Sequence, residues 1–233
     1  MARTDFSAAA RTGWQAGALS ARPAVPDEPA LPTGIQAVDE RARLYVPPEL
    51  PAGPLPLVVL LHGATSNPLE VLPILSEPAR RHRFLLLAPK SRDYTWDIVR
   101  GGFGPDVAAL DQLLMEVFGR FQVDPGRVAV AGFSDGASYA LSLGLASGDL
   151  FSRILAFSPG FVVPGRRTGR PAVFISHGVA DKVLPIERCS RRIVPLLRQD
   201  GYDVDYREFA GGHTVPADQA AAAVMPLATA AGH

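Results

Sequence analysis

The stretch Val128-Ala129-Val130-Ala131-Gly132-Phe133-Ser134-Asp135-Gly136 decides how this chain of 233 residues is read. Val128 to Phe133 is small and β-branched, the composition of a strand buried on both faces. Gly132 to Gly136 fits the pattern G-x-S-x-G, and the segment from Ser134 to about Ser147 reads as a small-residue helix. Strand, turn and helix in that order form the context in which the pattern carries chemistry. The serine would occupy a tight turn in which a side chain at Gly132 or Gly136 collides with neighbouring backbone. Its hydroxyl then stands above the sheet, and the helix aims a positive N-terminal end at developing negative charge. A serine capping an ordinary βα turn would give the same letters. The rest of the chain has to decide between the two.

Working outward, strand and helix patterns alternate. Leu57 to Leu61 and Phe84 to Ala88 are apolar runs of strand length, and Pro68 to about His82 between them reads as a helix. Pro105 to Phe121 places Val107, Leu110, Leu114, Val117 and Phe121 on one helical face. Beyond the serine, strands are expected at Ile154 to Phe157, Val173 to Ser176 and Val204 to Phe209, with helices over Pro185 to Gln199 and Val215 to Ala231. Such alternation implies an α/β fold, a mostly parallel sheet with helices on both faces. Gly34 to Val46 reads as one edge strand. Residues 1–33 are rich in Ala, Arg and Pro, with Pro23, Pro26, Pro29 and Pro32 closely spaced, and are expected to form an extended arm without helix or central strand. Residues 34–233 are expected to form a single domain.

Composition removes several function classes. Lys plus Arg and Asp plus Glu are both 23, so no basic excess marks a nucleic-acid or anionic-membrane partner. One cysteine, Cys189, excludes an internal disulfide and is expected to be a small buried thiol. No apolar run reaches membrane-span length, and no basic segment followed by an apolar core reads as a signal peptide. A cytoplasmic protein without integral membrane association is expected. No metal is expected, because the chain lacks H-x-H, H-E-x-x-H and paired-Cys spacings. No phosphate-cradling loop or other cofactor signature is present either.

Two further sites complete the serine. Asp181 follows the strand Val173 to Ser176, at the carboxyl end where ligand-facing groups of open α/β sheets gather. His213 follows paired glycines, Gly211 and Gly212, after the last strand. Ser134, Asp181 and His213 fall in the chain order nucleophile, acid, base. Each residue alone has an ordinary explanation, a turn serine, a loop aspartate and a solvated histidine; the ordered set points to nucleophilic catalysis. The end of the first buried strand, His62-Gly63-Ala64-Thr65, is where a second amide donor for an oxyanion is expected. The backbone N–H groups of Ala64 and Asp135 are the candidates. His62 and His177 are read as structural residues, and His82, amid Arg80, Arg81 and Arg83, as a solvated one. For the substrate pocket the candidates are Trp96, Phe161 and Val183, each in a loop at the same end of the sheet, with packing of the loop onto the domain the equal alternative for Trp96.

On these residues the chain resembles the bacterial phospholipase/carboxylesterase group of α/β hydrolases. It is also similar to polyhydroxybutyrate-depolymerase-like and feruloyl-esterase-like esterases. The matching pieces are Pro56 to Gly63, Val123 to Val128, Gly132 to Gly136, Ser176-His177-Gly178 through Asp181 to Pro185, and Gly211-Gly212-His213. The resemblance implies the α/β-hydrolase fold without a large lid domain, and Ser134, Asp181 and His213 as its triad. It implies a serine carboxylesterase that needs no cofactor, and the lack of an insertion long enough for a lid argues for small esters. An acyl thioesterase or lysophospholipase shares the triad, and a catalytically silent binding protein shares the fold. Thioesterases of the group usually carry Gln after the nucleophile, where this chain has Asp135, which counts against that identity. A homodimer is compatible with everything read so far.

Overall fold

The computed structural model describes residues 13–26 and 32–229. Their strands are β1 (Gly34–Ala37), β2 (Ala42–Val46), β3 (Leu55–Leu61), β4 (Leu85–Pro89), β5 (Val123–Phe133), β6 (Arg153–Phe157), β7 (Ala172–Gly178) and β8 (Val204–Phe209). The helices are α1 (Pro68–Val71), α2 (Pro73–His82), α3 (Pro105–Arg120), α4 (Asp135–Ala146), α5 (Ser190–Gln199) and α6 (Ala217–Thr229). All eight strands join one sheet in the order β1-β2-β4-β3-β5-β6-β7-β8. Pairings from β4 through β3 to β8 are parallel; β1 and β2 are added antiparallel at one edge.

The continuous apolar runs are explained by burial on both sides. In β3 every residue is buried, and alternate side chains enter different cores. Leu57, Val59 and Leu61 pack with Val107, Leu114 and Val117 of α3 and with Leu141 of α4. Val58 and Leu60 pack with Leu75 of α2 and Val224 of α6. The sheet is thus covered on both faces, the arrangement of an α/β-hydrolase.

Several boundaries differ from the sequence expectation. The single edge strand expected over Gly34 to Val46 is a hairpin, because Asp39 turns the chain and its carboxylate accepts the Arg41 N–H at 2.7 Å. The helix expected over Pro68 to His82 is two helices. Pro73 has no N–H to continue the ladder, so α2 starts afresh after Leu72. Pro185 to Gln199 likewise splits into a 3₁₀ turn, Ile186–Arg188, and α5, with buried Cys189 between them. In the N-terminal arm, residues 13–15 form one helical turn where none was expected. The arm is tied down by Asp111, whose carboxylate accepts the N–H groups of Ser20 and Ala21 at 2.7 and 2.8 Å. Residues 1–12 and 27–31 of the arm, and the end of the last helix at Ala231, lie outside the described residues. Among the described residues no helix is long and apolar enough to cross a membrane.

Candidate active site

Ser134 sits between β5 and α4 with φ 59° and ψ −122°, a conformation that L-residues adopt only under strain of about 1–3 kcal/mol. Both flanking glycines are sterically required: a Cβ on Gly132 would run into the Gly136 carbonyl, and one on Gly136 into those of Leu61 and His62. The Ser134 side chain makes no capping hydrogen bond to α4. That removes the reading of an ordinary N-cap. Its Oγ instead lies 2.9 Å from Nε2 of His213.

The other two members arrive from turns after β7 and β8. These turns are stitched together by Val179 N–H to the Phe209 carbonyl and Ala180 N–H to the Gly211 carbonyl, both 2.9 Å. At Gly178 a Cβ would strike the carbonyls of Gly211 and Gly212, so glycine there allows the aspartate turn and the histidine turn to meet. His213 Nδ1 is 2.6 Å from Asp181 Oδ2. A carboxylate oxygen accepts, so Nδ1 carries the ring proton and Nε2 presents a lone pair to the serine hydroxyl. The His213 ring rests on Phe133, with centroids 4.7 Å apart.

Asp181 is fixed by more than the imidazole. Its Oδ1 accepts the N–H groups of Val183 and Leu184, both at 2.9 Å. Burial pushes its carboxyl up, but the His213 hydrogen bond and the Leu184 and Val183 amides outweigh that and hold it below the usual carboxylate range.

Ala64 lies in the loop after β3, close enough that a Cβ on neighbouring Gly63 would sit 3.4 Å from Ser134 Cβ. Asp135 opens α4, where the first N–H groups have no intrahelical carbonyl to bond. Both candidate oxyanion donors therefore border the serine. The groove over Ser134 has a volume of about 490 Å³. Its apolar wall is Val71, Ile74, Phe133, Val183 and Val215, and its one acidic side chain is Glu70.

Of the pocket candidates, Val183 lines this groove and is 65% exposed. Trp96 does not. It is 1% exposed, donates its Nε1–H to the His62 carbonyl at 2.8 Å, and packs its ring between His62 and Tyr139. Phe161 is half-buried against the core rather than in the groove. Both expectations are corrected for one reason: a loop's aromatic residue finds more apolar area beneath the loop than beside the serine. The α1 residues Glu70 and Val71 and the α2 residue Ile74 form a wall that sequence reading missed. Their helical pattern gave no sign of which end of the sheet they overhang.

His62 is buried and accepts the Ser91 N–H on Nε2 at 3.0 Å, leaving Nδ1 to donate to the Gly63 carbonyl. Burial lowers its pKa. No lone pair remains for a substrate. Among the described residues, no group of three or more His, Cys, Asp or Glu could hold a metal ion.

Sheet order, strained serine turn and hydrogen-bonded Ser–His–Asp set together define an α/β-hydrolase. The model of the phospholipase/carboxylesterase family matches residues 106–226, and the chain belongs to that family. No curated protein matches the sequence. Among solved structures, esterase PE8 is similar at 24% identity, covering 84% of this chain and 98% of its own, with a TM-score of 0.66. The Bacillus cereus carboxylesterase is 19% identical, covering 80% of this chain and 92% of its own, with a TM-score of 0.62. The Staphylococcus aureus S-formylglutathione hydrolase is 14% identical, covering 81% and 92%, with a TM-score of 0.66. At these identities the three share the fold.

Proposed function

We propose that the protein is a serine carboxylesterase that hydrolyses small carboxylic esters through an acyl-enzyme on Ser134. The observation that carries this is the continuous chain from Ser134 Oγ through His213 to Asp181, at 2.9 and 2.6 Å. His213 Nε2 takes the serine proton as Oγ attacks the ester carbonyl carbon, and the amides of Ala64 and Asp135 bind the oxygen that becomes negative. As the tetrahedral intermediate collapses, the imidazolium gives the proton to the departing alkoxide, and the alcohol leaves. Water then enters, loses its proton to His213 and attacks the acyl carbon, and Ser134 leaves with the proton returned. Asp181 keeps Nδ1 protonated and Nε2 free throughout. Each amide contributes on the order of 10²–10³ in rate if it behaves as such donors usually do.

The groove supports the choice of substrate. Its walls are mostly apolar, and about 490 Å³ is room for a small ester with both its acyl and alcohol parts. The test is labelling with a fluorophosphonate followed by a series of p-nitrophenyl esters from acetyl to dodecanoyl. A single adduct on Ser134, with kcat/KM falling beyond short acyl chains, is expected. No adduct on a folded protein would defeat the serine mechanism, and highest activity on the longest chains would favour a lysophospholipase.

A further inference from the structure

The loop after β4 touches both sides of the candidate oxyanion site at consecutive residues. The Tyr94 carbonyl accepts the Thr65 N–H at 2.7 Å. Thr65 follows Ala64 and is held at φ 61°, a left-handed conformation unusual for a β-branched residue. One residue further on, Thr95 Oγ1 donates to Asp135 Oδ2 at 2.7 Å. Thr95 is 1% exposed, and Trp96 next to it pins the loop through its bond to the His62 carbonyl.

Asp135 poses an electrostatic problem for the reaction proposed above. Its amide is to bind the oxyanion, yet its own side chain carries a carboxylate only a few bonds away. Like charges a few ångströms apart repel, so a carboxylate turned towards the oxyanion would cancel much of what the amides contribute. The side chain is turned elsewhere. Its Oδ2 is taken up by the Thr95 hydroxyl, and Thr95 does not line the groove. Thr95 faces a separate cavity of about 380 Å³, together with Arg92, Asp97, Arg100 and Asp106.

We infer that Thr95 is a positioning residue for ester hydrolysis: its hydroxyl holds the Asp135 carboxylate away from the oxyanion, while the adjacent Tyr94 carbonyl fixes the Ala64–Thr65 turn opposite. The inference rests on the serine-esterase reading of the site. Thr95 touches no reacting atom and acts through Asp135. In this chain the aspartate after the nucleophile is therefore tolerated because a buried threonine restrains it.

A four-corner comparison of wild type, Thr95→Val, Asp135→Asn and the double variant tests it, using p-nitrophenyl acetate as the probe. Thr95→Val is expected to lower kcat about tenfold with KM within about twofold, since it disturbs a charge that matters in the transition state. On the Asp135→Asn background the same change should cost less than about twofold, because no charge is left to restrain. Thr95→Ser, which keeps the hydroxyl, should stay near wild type. Equal losses from Thr95→Val on both backgrounds would overturn the inference and leave Thr95 a packing residue, and so would no loss at all. If Thr95→Val fails to fold by circular dichroism, Thr95→Ala enters the cycle in its place. Fluorophosphonate labelling of the wild type separates the two levels. A labelled, active enzyme with an additive cycle sinks only the threonine's role, whereas an unlabelled, inactive wild type overturns the esterase reading and this inference with it.

Discussion

Two histidines border the same carboxylate oxygen and have opposite chemical prospects. His213 Nδ1 is 2.6 Å from Asp181 Oδ2, and His177 Nε2 is 3.3 Å from that atom. His177 is fully buried, and both its nitrogens are spent. Its Nε2 lies 2.8 Å from the Leu184 carbonyl, which can only accept, so Nε2 holds the proton and Nδ1 accepts from the Ser190 hydroxyl at 2.7 Å. Burial lowers its pKa, and the ring stays neutral beside Asp181. His213 donates from Nδ1 to Asp181, and its Nε2 accepts from the Ser134 hydroxyl at the groove. Both rings accept from a serine hydroxyl, and what separates them is where that hydroxyl lies: Ser190 is buried, and Ser134 lines the groove.

The largest test of that difference removes the group His213 serves. Ser134→Ala should lower turnover of a short ester on the order of 10⁴- to 10⁶-fold while circular dichroism remains that of the wild type. A tenth of wild-type activity in a folded variant would mean that His213 faces the wrong hydroxyl. His213→Ala should lose about as much, since the members act as a unit, and Asp181→Asn somewhat less, about 10³- to 10⁴-fold.

His177→Gln is the direct counterpart. It should keep turnover within about tenfold of wild type, yet unfold more easily by about 1–3 kcal/mol, because it disturbs buried hydrogen bonds. Steady-state kinetics and urea unfolding on the same preparation give both quantities. A collapse of turnover exceeding that of His213→Ala would exchange the two roles.

The smallest effect is in the pH dependence of stability. A buried histidine whose folded pKa lies below the unfolded value near 6.5 leaves the unfolded chain binding more protons in acid. Its contribution is complete above about 6.5 and is lost as pH falls towards the folded pKa. His62 acts in the same direction. Asp97 opposes both: burial lifts its carboxyl to about 6, so the folded state gains protons as pH falls through that range. The clean measure is therefore a difference. Unfolding free energies at pH 7.5 and 5.5 should fall further for wild type than for His177→Gln. Equal falls would show that His177 does not titrate differently on unfolding.

Thr95 and Trp96 show how far sequence reading reaches. Both stand in one loop, and the aromatic residue has the apolar bulk expected of a pocket wall. Yet Trp96 turned inward onto His62 and Tyr139, while the plain threonine met Asp135 forty positions on. Glu70, Val71 and Ile74 tell the same story for the groove wall. Nothing in their own helices records which loop they will face.

What the sequence by itself determined is whatever neighbouring residues settle among themselves. The serine turn is one case in part: Gly132 is demanded by the Gly136 carbonyl four residues on, whereas Gly136 is demanded by Leu61 and His62 at the end of the neighbouring strand. Strand and helix alternation is another, since burial on both faces writes itself as apolar runs. The order Ser134, Asp181, His213 could be read because each residue stands at the end of a recognisable strand. Tertiary structure alone decided which histidine meets a hydroxyl at the groove, which loop residues face the groove, and which side chain holds Asp135. Those outcomes depend on hydrogen-bond partners and burial supplied by segments distant in the chain, and a side chain's chemistry is fixed only when its last partner arrives.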